Sequence, residues 1–223
     1  MTALQLVIFD CDGVLMDSER IANRIFCAML NELGLPLTLD DMFEHFVGLS
    51  MPQCVALITQ RLGRPPPDTF VTELRRRTAA ALQVEVTPVA GVREVLDSLR
   101  IPHCVASSGD HHKIRLTLTA TGLLERFEGR IFSVEDVGQP KPAPDVFLYA
   151  ARRLQADPAA CAVIEDTPTG VRAGVAAGMQ VFGFCANTPA HRLRTAGAHT
   201  LFADMRELPR LLAAAGAAQP ARG

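Results

Sequence analysis

Short apolar runs that end abruptly in polar residues recur along this chain, and each predicts a strand buried on both faces. The first run, residues 7–9, is followed by Asp10 and Asp12, with Cys11 between them. Gly13 then marks a turn, because glycine lets the backbone change direction without a clash at Cβ. Runs of the same kind predict further strands at residues 103–106, 130–132, 161–164, 180–184 and 200–202.

Helical periodicity fills the segments between these runs. In residues 17–33 the apolar positions recur every four residues behind Ser18, which predicts a helix capped by that serine. These positions are Ile21, Ile25, Met29 and Leu33. Further helices are predicted at residues 39–46, 52–62, 68–82, 92–99, 111–121, 144–154, 169–177, 189–196 and 205–215.

The two patterns divide the chain into regions of different fold. Residues 16–84 contain helical patterns and no convincing strand, whereas beyond Pro88 short strands alternate with helices. That alternation is typical of a parallel sheet covered on both faces. We therefore predict an α/β fold with a Rossmann-like, doubly wound parallel sheet formed by residues 1–15 and 85–223. Residues 16–84 are predicted to form an inserted α-helical domain.

Composition limits the partners and the compartment that we expect. The chain has 223 residues, 48% hydrophobic and 21% charged, with a formal net charge of -2, which is ordinary for a soluble globular protein. No apolar stretch approaches the roughly 20 residues of a membrane span. The six cysteines form no CxxC pair, which predicts reduced core residues. We expect a cytoplasmic monomer or homodimer that binds neither nucleic acid nor membrane.

The aspartates after the first strand are the first candidates for chemistry. Ligands bind open α/β sheets at the carboxyl ends of strands, and residues two apart in extended chain point the same way. Carboxylates this close repel unless a cation lies between them or one is protonated. Asp10 is then a candidate nucleophile and Asp12 a candidate general acid and base. A solvated turn after a core strand is the alternative that the pair alone leaves open.

A serine-rich turn follows the predicted strand at residues 103–106. Ser107, Ser108 and Gly109 offer a hydroxyl group and backbone N–H groups, which together suit a bound anion. An ordinary surface loop has the same composition, so this segment alone does not decide between the two.

Two more polar segments carry charged candidates. Three prolines surround Lys141 and restrict its backbone, which holds the ammonium in a narrow range of positions. Glu165 and Asp166 follow the predicted strand at residues 161–164. Adjacent residues of an extended chain point to opposite sides, so only one of these acids can ligate a metal directly. A surface lysine and an acidic helix start are the alternatives.

Taken together, these segments resemble the haloacid dehalogenase superfamily of phosphohydrolases. FDCDGVLMDSE is similar to motif I, Ser107 to motif II, KPAPDVF to motif III and EDTPTGVRAGVAAGM to motif IV. The four motifs occur in order and cover nearly the whole chain. The resemblance points to the subgroup with a helical cap between motifs I and II, whose members include sugar phosphatases and β-phosphoglucomutase. Within it, the chain looks most like the 6-phosphogluconate phosphatase type.

The resemblance implies a role for each candidate. Asp10 would attack phosphorus and carry an aspartyl-phosphate, and Asp12 would protonate the leaving alcohol and then deprotonate water. The phosphoryl group of a small phosphate ester would be held by Ser107, Ser108, Gly109 and Lys141. Mg²⁺ would be held by Asp10, the backbone carbonyl of Asp12, Asp166 and waters, with Glu165 as a nearby partner.

Other functions remain open to different degrees. A haloacid dehalogenase needs neither Asp12 nor a metal, so the presence of Asp12 and Asp166 argues against that function. A non-catalytic phosphate-binding module predicts loss of at least one motif acid, and all of them are present. A phosphomutase shares the core, but β-phosphoglucomutase has an arginine after its Gly-x-Ser, where this chain has Met51 after residues 48–50. The cap candidates for substrate contact have no motif to support them: Arg24, His45, Gln53 and Arg75. For His45 a packing role is the favoured interpretation, and His111 and His112 carry no assignment.

Overall fold

The computed structural model describes residues 3–46 and 49–218. The chain divides into two compact units. The sheet unit contains the described residues up to Asp17 and from Thr87 onward, and the helical unit is Ser18–Val86. The first boundary follows residue 17 and the second follows residue 86, whereas the sequence predicted boundaries after residues 15 and 84.

A parallel sheet forms the sheet unit, as the alternation of strands and helices predicts. Its strands are β1 (Leu6–Phe9), β2 (His103–Ser107), β3 (Ile131–Ser133), β4 (Cys161–Glu165), β5 (Gln180–Phe184) and β6 (Thr200–Phe202). Their order is β3-β2-β1-β4-β5-β6, and every neighbouring pair is parallel. The predicted α/β fold is confirmed. Because β1 lies between β2 and β4, the residues that follow these three strands meet at one edge of the sheet.

The helices lie close to their predicted places. They are α1 (Glu19–Glu32), α2 (Leu39–His45), α3 (Met51–Leu62), α4 (Phe70–Glu85), α5 (Val92–Ser98), α6 (His111–Ala120), α7 (Leu124–Phe127), α8 (Asp145–Arg153), α9 (Pro168–Ala176), α10 (Ala190–Ala196) and α11 (Leu208–Ala218). The helix α7 was missed because four residues are too few to show a helical period. Short 3-10 helices at Val134–Asp136 and Pro158–Ala160 were missed for the same reason, and a third at Met205–Glu207 forms the start of the helix predicted at residues 205–215.

The core of the sheet unit follows the two-residue period of its strands. On one face, Leu6 and Ile8 of β1 pack with Phe147 of α8 and Val171 of α9. On the other face, the Phe9 ring meets the Phe127 ring edge-on with centroids 6.4 Å apart. Side chains on both faces of β1 are fully buried. This explains the unbroken apolar run, since a parallel sheet covered on both sides needs apolar residues at every position.

The helical unit has a core of its own. Phe26 of α1 lies between two aromatic rings, with centroid distances of 5.5 Å to Phe46 and 6.0 Å to Phe70. Thr38 caps α2 by accepting a hydrogen bond from the Asp41 N–H. Such a cap satisfies a backbone donor that the first helical turn leaves without a partner. Among the described helices, none combines the length and apolarity that crossing a bilayer requires.

All six cysteines are free thiols. Five of them are buried and Cys185 is partly exposed. Burial is the main cause that raises the pKa of the Cys104 and Cys161 thiols, the latter to about 12. These residues therefore behave as small apolar core side chains, as the sequence predicts.

Candidate active site

The candidate residues converge at the carboxyl ends of β1, β2 and β4. Asp10 follows β1 directly, and its N–H donates to the Ile164 carbonyl oxygen at 3.0 Å, which holds it beside β4. Ser107 ends β2 and Glu165 ends β4. Asp10, Ser107 and Glu165 are all buried. Polar side chains are rarely buried unless they have partners in the protein core.

Lys141 connects these strand ends. Its side chain is 5% exposed, and its Nζ lies 2.5 Å from Asp10 Oδ1 and 2.9 Å from Glu165 Oε1. A third hydrogen bond of 3.2 Å reaches the Ala106 carbonyl oxygen. All three ammonium donors are therefore used, which is the condition for burying a lysine at modest cost. The Phe147 ring lies beneath the ammonium, 4.5 Å from Nζ to the ring centroid.

The pair formed by Asp10 and Lys141 is electrostatically coupled. Burial raises the pKa of Asp10, the Lys141 charge lowers it, and the balance leaves this pKa at about 7. Burial lowers the pKa of Lys141, but the charges of Asp10 and Glu165 outweigh it and the pKa of Lys141 is raised. The lysine is therefore a permanent cation, and the charge on Asp10 depends on what else is bound at this site.

Both carboxylate oxygens of Glu165 accept hydrogen bonds from protein donors. Its Oε1 accepts from Lys141, and its Oε2 accepts from the N–H of Thr167 at 2.7 Å and from its hydroxyl at 2.9 Å. Thr167 also caps α9 by accepting from the Gly170 N–H at 3.0 Å. A Cβ at Gly170 would lie 1.7 Å from Glu165 Oε1, so only glycine fits there. The geometry gives Glu165 the task of orienting Lys141.

Asp166 lies against the turn at Gly13, which follows Asp10 and Asp12. A Cβ at Gly13 would meet Asp166 Oδ2 at 2.0 Å, and Gly13 has φ of +78°. Both observations require glycine, because an L side chain would be strained and would also collide. The absence of a side chain at Gly13 therefore brings the buried Asp166 carboxylate next to the backbone of the motif I turn.

A lysine that the sequence interpretation missed contacts Asp12. Lys113 Nζ, in the first turn of α6, donates to Asp12 Oδ2 at 2.6 Å. Burial lowers the pKa of Lys113, but the Asp12 charge outweighs it, so the pKa of Lys113 is raised. No motif marked Lys113. The only available signal was its place one turn into the helix that follows the serine-rich segment.

The loop after β2 is built around two buried serines. Ser107 Oγ accepts from the Gly109 N–H at 3.1 Å, and the Ser133 hydroxyl donates to the Gly109 carbonyl oxygen at 2.7 Å. Ser133, at the end of β3, was also missed. Ser108 is exposed and Gly109 is partly exposed. The loop therefore places one buried hydroxyl at the strand end and holds its backbone from the neighbouring strand.

The candidates of the helical unit have local partners. Gln53 Oε1 accepts from the Ser50 N–H at 2.8 Å, which caps α3, and Arg24 forms an ion pair with Glu85 at 2.5 Å. His45 is partly exposed and Arg75 is exposed. In the sheet unit, His112 is exposed, and the other unassigned histidine, His111, contacts Asp136 at 3.1 Å.

With this geometry, comparison with known proteins identifies the family. The model of the haloacid dehalogenase-like hydrolases matches residues 4–178, which include the first three motifs and all but the last residue of the fourth. The chain belongs to this family. The resemblance in its motifs is confirmed, and so is its placement in the subgroup that includes β-phosphoglucomutase-like proteins.

Three relatives show how far the similarity extends. The hydrolase is 30% identical to the 6-phosphogluconate phosphatase of Escherichia coli over 217 residues, which is 97% of this chain and 98% of the relative. It is 34% identical to a conserved haloacid dehalogenase-like protein of Agrobacterium tumefaciens, with a TM-score of 0.89 over 95% of this chain and 99% of the other. A hydrolase of this family from Deinococcus radiodurans, with bound phosphate and sodium, is 33% identical with a TM-score of 0.85, over 99% of this chain and 100% of the other.

These relatives define the reaction class. Several curated relatives of the hydrolase are named phosphatases, among them a 6-phosphogluconate phosphatase and a probable pseudouridine-5'-phosphatase, so the chain is a phosphoric monoester hydrolase, as the motifs predict.

The donor set of this hydrolase fits a hard divalent cation. Among the described residues, no group of three or more His, Cys, Asp or Glu side chains is arranged to hold a metal ion. The set implied by the motifs needs only two such side chains, Asp10 and Asp166, because a backbone carbonyl and waters complete it. The site contains four carboxylates and two lysines, and its net charge is two negative units when all six groups are ionised. These groups are Asp10, Asp12, Glu165, Asp166, Lys113 and Lys141. Oxygen ligands and this charge suit Mg²⁺.

Proposed function

We propose that the protein is a Mg²⁺-dependent phosphatase that hydrolyses a small phosphorylated sugar or sugar acid through an aspartyl-phosphate on Asp10. The observation that carries this proposal is the buried Lys141, which joins the strand end after β1 to that of β4 and places a fixed positive charge at the base of the site. A phosphoryl group carries negative charge, so a fixed ammonium favours both its binding and its transfer.

Each side chain has a distinct task in this mechanism. Asp10 supplies the attacking oxygen, and Lys141 balances its charge and that of the phosphoryl oxygens. Asp12 gives a proton to the leaving alcohol and later takes one from the hydrolytic water. Glu165 and Thr167 keep the Lys141 ammonium oriented. Ser107 and the backbone around Gly109 hold the phosphoryl oxygens.

Asp10, Asp166 and the Asp12 carbonyl would hold the metal. When bound, Mg²⁺ supplies positive charge beside the transferring phosphoryl group and offsets the repulsion among these carboxylates. It also favours the ionised form of Asp10, whose pKa burial raises to about 7. An ionised Asp10 is the form that can act as a nucleophile.

The substrate class is supported by the extent of the similarity. The Escherichia coli 6-phosphogluconate phosphatase matches nearly the full length of both chains, and the match includes the helical unit. Substrate contacts in cap-containing members of the family are expected from that unit. A phosphorylated sugar acid such as 6-phosphogluconate is therefore the first candidate substrate.

A substrate panel tests the proposal. Purified protein with Mg²⁺ is incubated with 6-phosphogluconate, glucose 6-phosphate, hexitol phosphates and phosphoglycolate, and inorganic phosphate is measured. We expect release from a sugar or sugar-acid phosphate, lost when EDTA removes the metal and restored by Mg²⁺. An equal rate with and without metal would contradict the metal requirement. Activity confined to phosphoglycolate would contradict the proposed substrate class.

A further inference from the structure

Lys113 lies outside the four motifs and reaches the carboxylate of the general acid and base. Its Nζ is 2.6 Å from Asp12 Oδ2, although the two residues are 101 positions apart in the chain. Their side chains are 40% and 28% exposed, so this pair lies at the open side of the site, unlike the buried pair of Lys141 and Asp10.

The start of α6 holds this lysine in place. Asp110 caps the helix, and its Oδ1 accepts a hydrogen bond of 2.7 Å from the Lys113 N–H. The cap fixes the first turn directly after the loop that carries Ser107, which leaves the lysine only its side-chain torsions. A Cβ at Gly109 would lie 3.6 Å from Lys113 Cδ, so the stem of the lysine also passes over that loop.

The chemistry of an ammonium decides what this contact does to Asp12. An ammonium has three donors and no acceptor, so the oxygen that it binds must act as an acceptor. The carbonyl oxygen of a protonated carboxyl group is a stronger acceptor than its hydroxyl oxygen, so the contact at Oδ2 favours the proton on Oδ1 whenever Asp12 is protonated. The contact also limits rotation of the carboxyl group about its Cβ–Cγ bond.

We propose that Lys113 is a positioning residue that assigns the transferable proton of Asp12 to Oδ1 and aims that oxygen at the leaving group. This inference rests on the proposed phosphatase function. When the bond from Asp10 to phosphorus forms and the ester bond breaks, the Oδ1 proton passes to the departing alkoxide oxygen. Oδ2 stays bound to the ammonium. In hydrolysis of the aspartyl-phosphate, Oδ1 takes the proton back from water.

Two other roles for Lys113 predict different kinetics. A lysine that binds the phosphate ester would weaken substrate binding for every ester when it is removed. A lysine that only supports the fold would lower all rates together. A lysine that aims the acid matters most when the leaving group is strongly basic, because such a group cannot depart without a proton. A sugar alkoxide is strongly basic and 4-nitrophenolate is weakly basic.

Single-turnover kinetics with enzyme in excess separate these cases. The substrates are 4-nitrophenyl phosphate and the sugar phosphate that the wild type hydrolyses fastest. The variants are Lys113→Met and Lys113→Arg, and the matched control is Arg115→Met on the same helix, which removes an exposed ion pair with Glu128 at 3.2 Å. Single turnover follows formation of the aspartyl-phosphate, so the later hydrolysis step does not mask the effect.

We expect Lys113→Met to lower the maximal single-turnover rate on the sugar phosphate by about 10- to 100-fold and on the nitrophenyl ester by less than about threefold. The enzyme concentration that gives half of the maximal rate should stay within about threefold of the wild-type value for both substrates. Lys113→Arg should recover part of the rate, since guanidinium is also a donor only. Equal losses on both substrates, or a change in half-saturation alone, would overturn the role of Lys113. A wild type that hydrolyses no phosphate ester would instead refute the proposed function.

Discussion

Lys141 Nζ lies 2.5 Å from Asp10 Oδ1, although the two residues are 131 positions apart in the chain. The same ammonium binds Glu165, so removing it would leave two buried carboxylates facing each other. We expect Lys141→Met to lower the free energy of unfolding by about 3–5 kcal/mol, the usual cost of breaking a buried ion pair. Urea unfolding at neutral pH measures this change.

The control for this prediction is an exposed pair. Arg126 NH1 lies 2.5 Å from Asp97 Oδ1, and the Asp97 side chain is 58% exposed. Removing a partner of such a pair costs about 0–1 kcal/mol, because water replaces it. Arg126→Met should therefore unfold close to the wild-type urea concentration. If the two variants were destabilised equally, the buried arrangement of Lys141 would be wrong.

Asp10→Asn tests the nucleophile. An amide oxygen attacks phosphorus poorly and carries no charge, so phosphate release should fall by at least about 10³-fold. The fold should persist, because asparagine has nearly the same shape and Lys141 keeps its bond to Glu165. Circular dichroism checks the fold, and Asp97→Asn serves as the exposed control. A rate within tenfold of wild type would contradict the nucleophile assignment.

Asp166→Ala tests the metal ligands. We expect the Kd for Mg²⁺ to rise by at least about tenfold in titration calorimetry, with activity partly restored by excess metal. Asp97→Ala, which removes an acid on α5, is the control. An unchanged Mg²⁺ affinity would remove Asp166 from the proposed ligand set and leave the role of Asp10 as nucleophile untouched.

The sequence identified the candidates that follow strand ends, and a motif marked Lys141, but it gave no sign of Lys113. Asp10, Ser107 and Glu165 follow or end neighbouring parallel strands, so the sheet itself brings them together. The contact of Lys113 with Asp12 joins distant segments and depends on the direction of a four-carbon stem. No periodicity encodes such a contact.

The place of Glu165 shows the same limit. Alternation along an extended chain indicated that Glu165 and Asp166 point to different sides, and this led to a metal-associated role for Glu165. Which partners its two oxygens take depends on Thr167 and on the close approach that Gly170 permits. Strand order likewise follows from the packing of helices on both faces, which no single run of residues contains.

His103 makes a pH-dependent contribution to stability. Its ring is edge-on to Phe9 and Phe127, with centroids 6.3 and 5.6 Å away, and burial lowers the pKa of His103 below its ordinary value. The unfolded chain therefore binds a proton at a pH where the folded chain does not. The stabilising contribution is full above the unfolded pKa of about 6.5 and is lost as pH falls from there toward the folded pKa.

We expect the urea midpoint of His103→Gln to rise relative to that of the wild type when the pH is lowered from 7.5 to 5.5, since glutamine does not titrate and all other groups are shared by the two proteins. His191→Gln, at an exposed position of α10, should keep the wild-type dependence. NMR titration of the imidazole gives an independent check. A pH dependence identical in His103→Gln and wild type would contradict the lowered pKa of the partly buried His103.

The last prediction separates a phosphatase from a phosphomutase. A mutase must hold a bisphosphate with its far phosphate bound by the cap, and in β-phosphoglucomutase an arginine follows the Gly-x-Ser. Here Met51 follows residues 48–50, of which Gly48 lies outside the described residues. Methionine offers no donor, and each lost hydrogen bond to a charged group costs about 1.5–3 kcal/mol. Arg24, one of two arginines of the helical unit that offer an alternative, is engaged with Glu85 at 2.5 Å.

We therefore expect net release of inorganic phosphate and no interconversion of β-glucose 1-phosphate and glucose 6-phosphate. A coupled assay primed with glucose 1,6-bisphosphate measures glucose 6-phosphate and free phosphate in the same reaction. Arg24→Met and Arg75→Met are run beside the wild type, because either arginine is the residue that would take over the missing role. If glucose 6-phosphate formed faster than free phosphate, the protein would be a mutase. If Arg24→Met or Arg75→Met then abolished formation of glucose 6-phosphate, that arginine would be the residue that binds the second phosphate. The roles of Asp10 and Asp12 would be the same in that enzyme, because both reactions pass through transfer of the phosphoryl group to an aspartate.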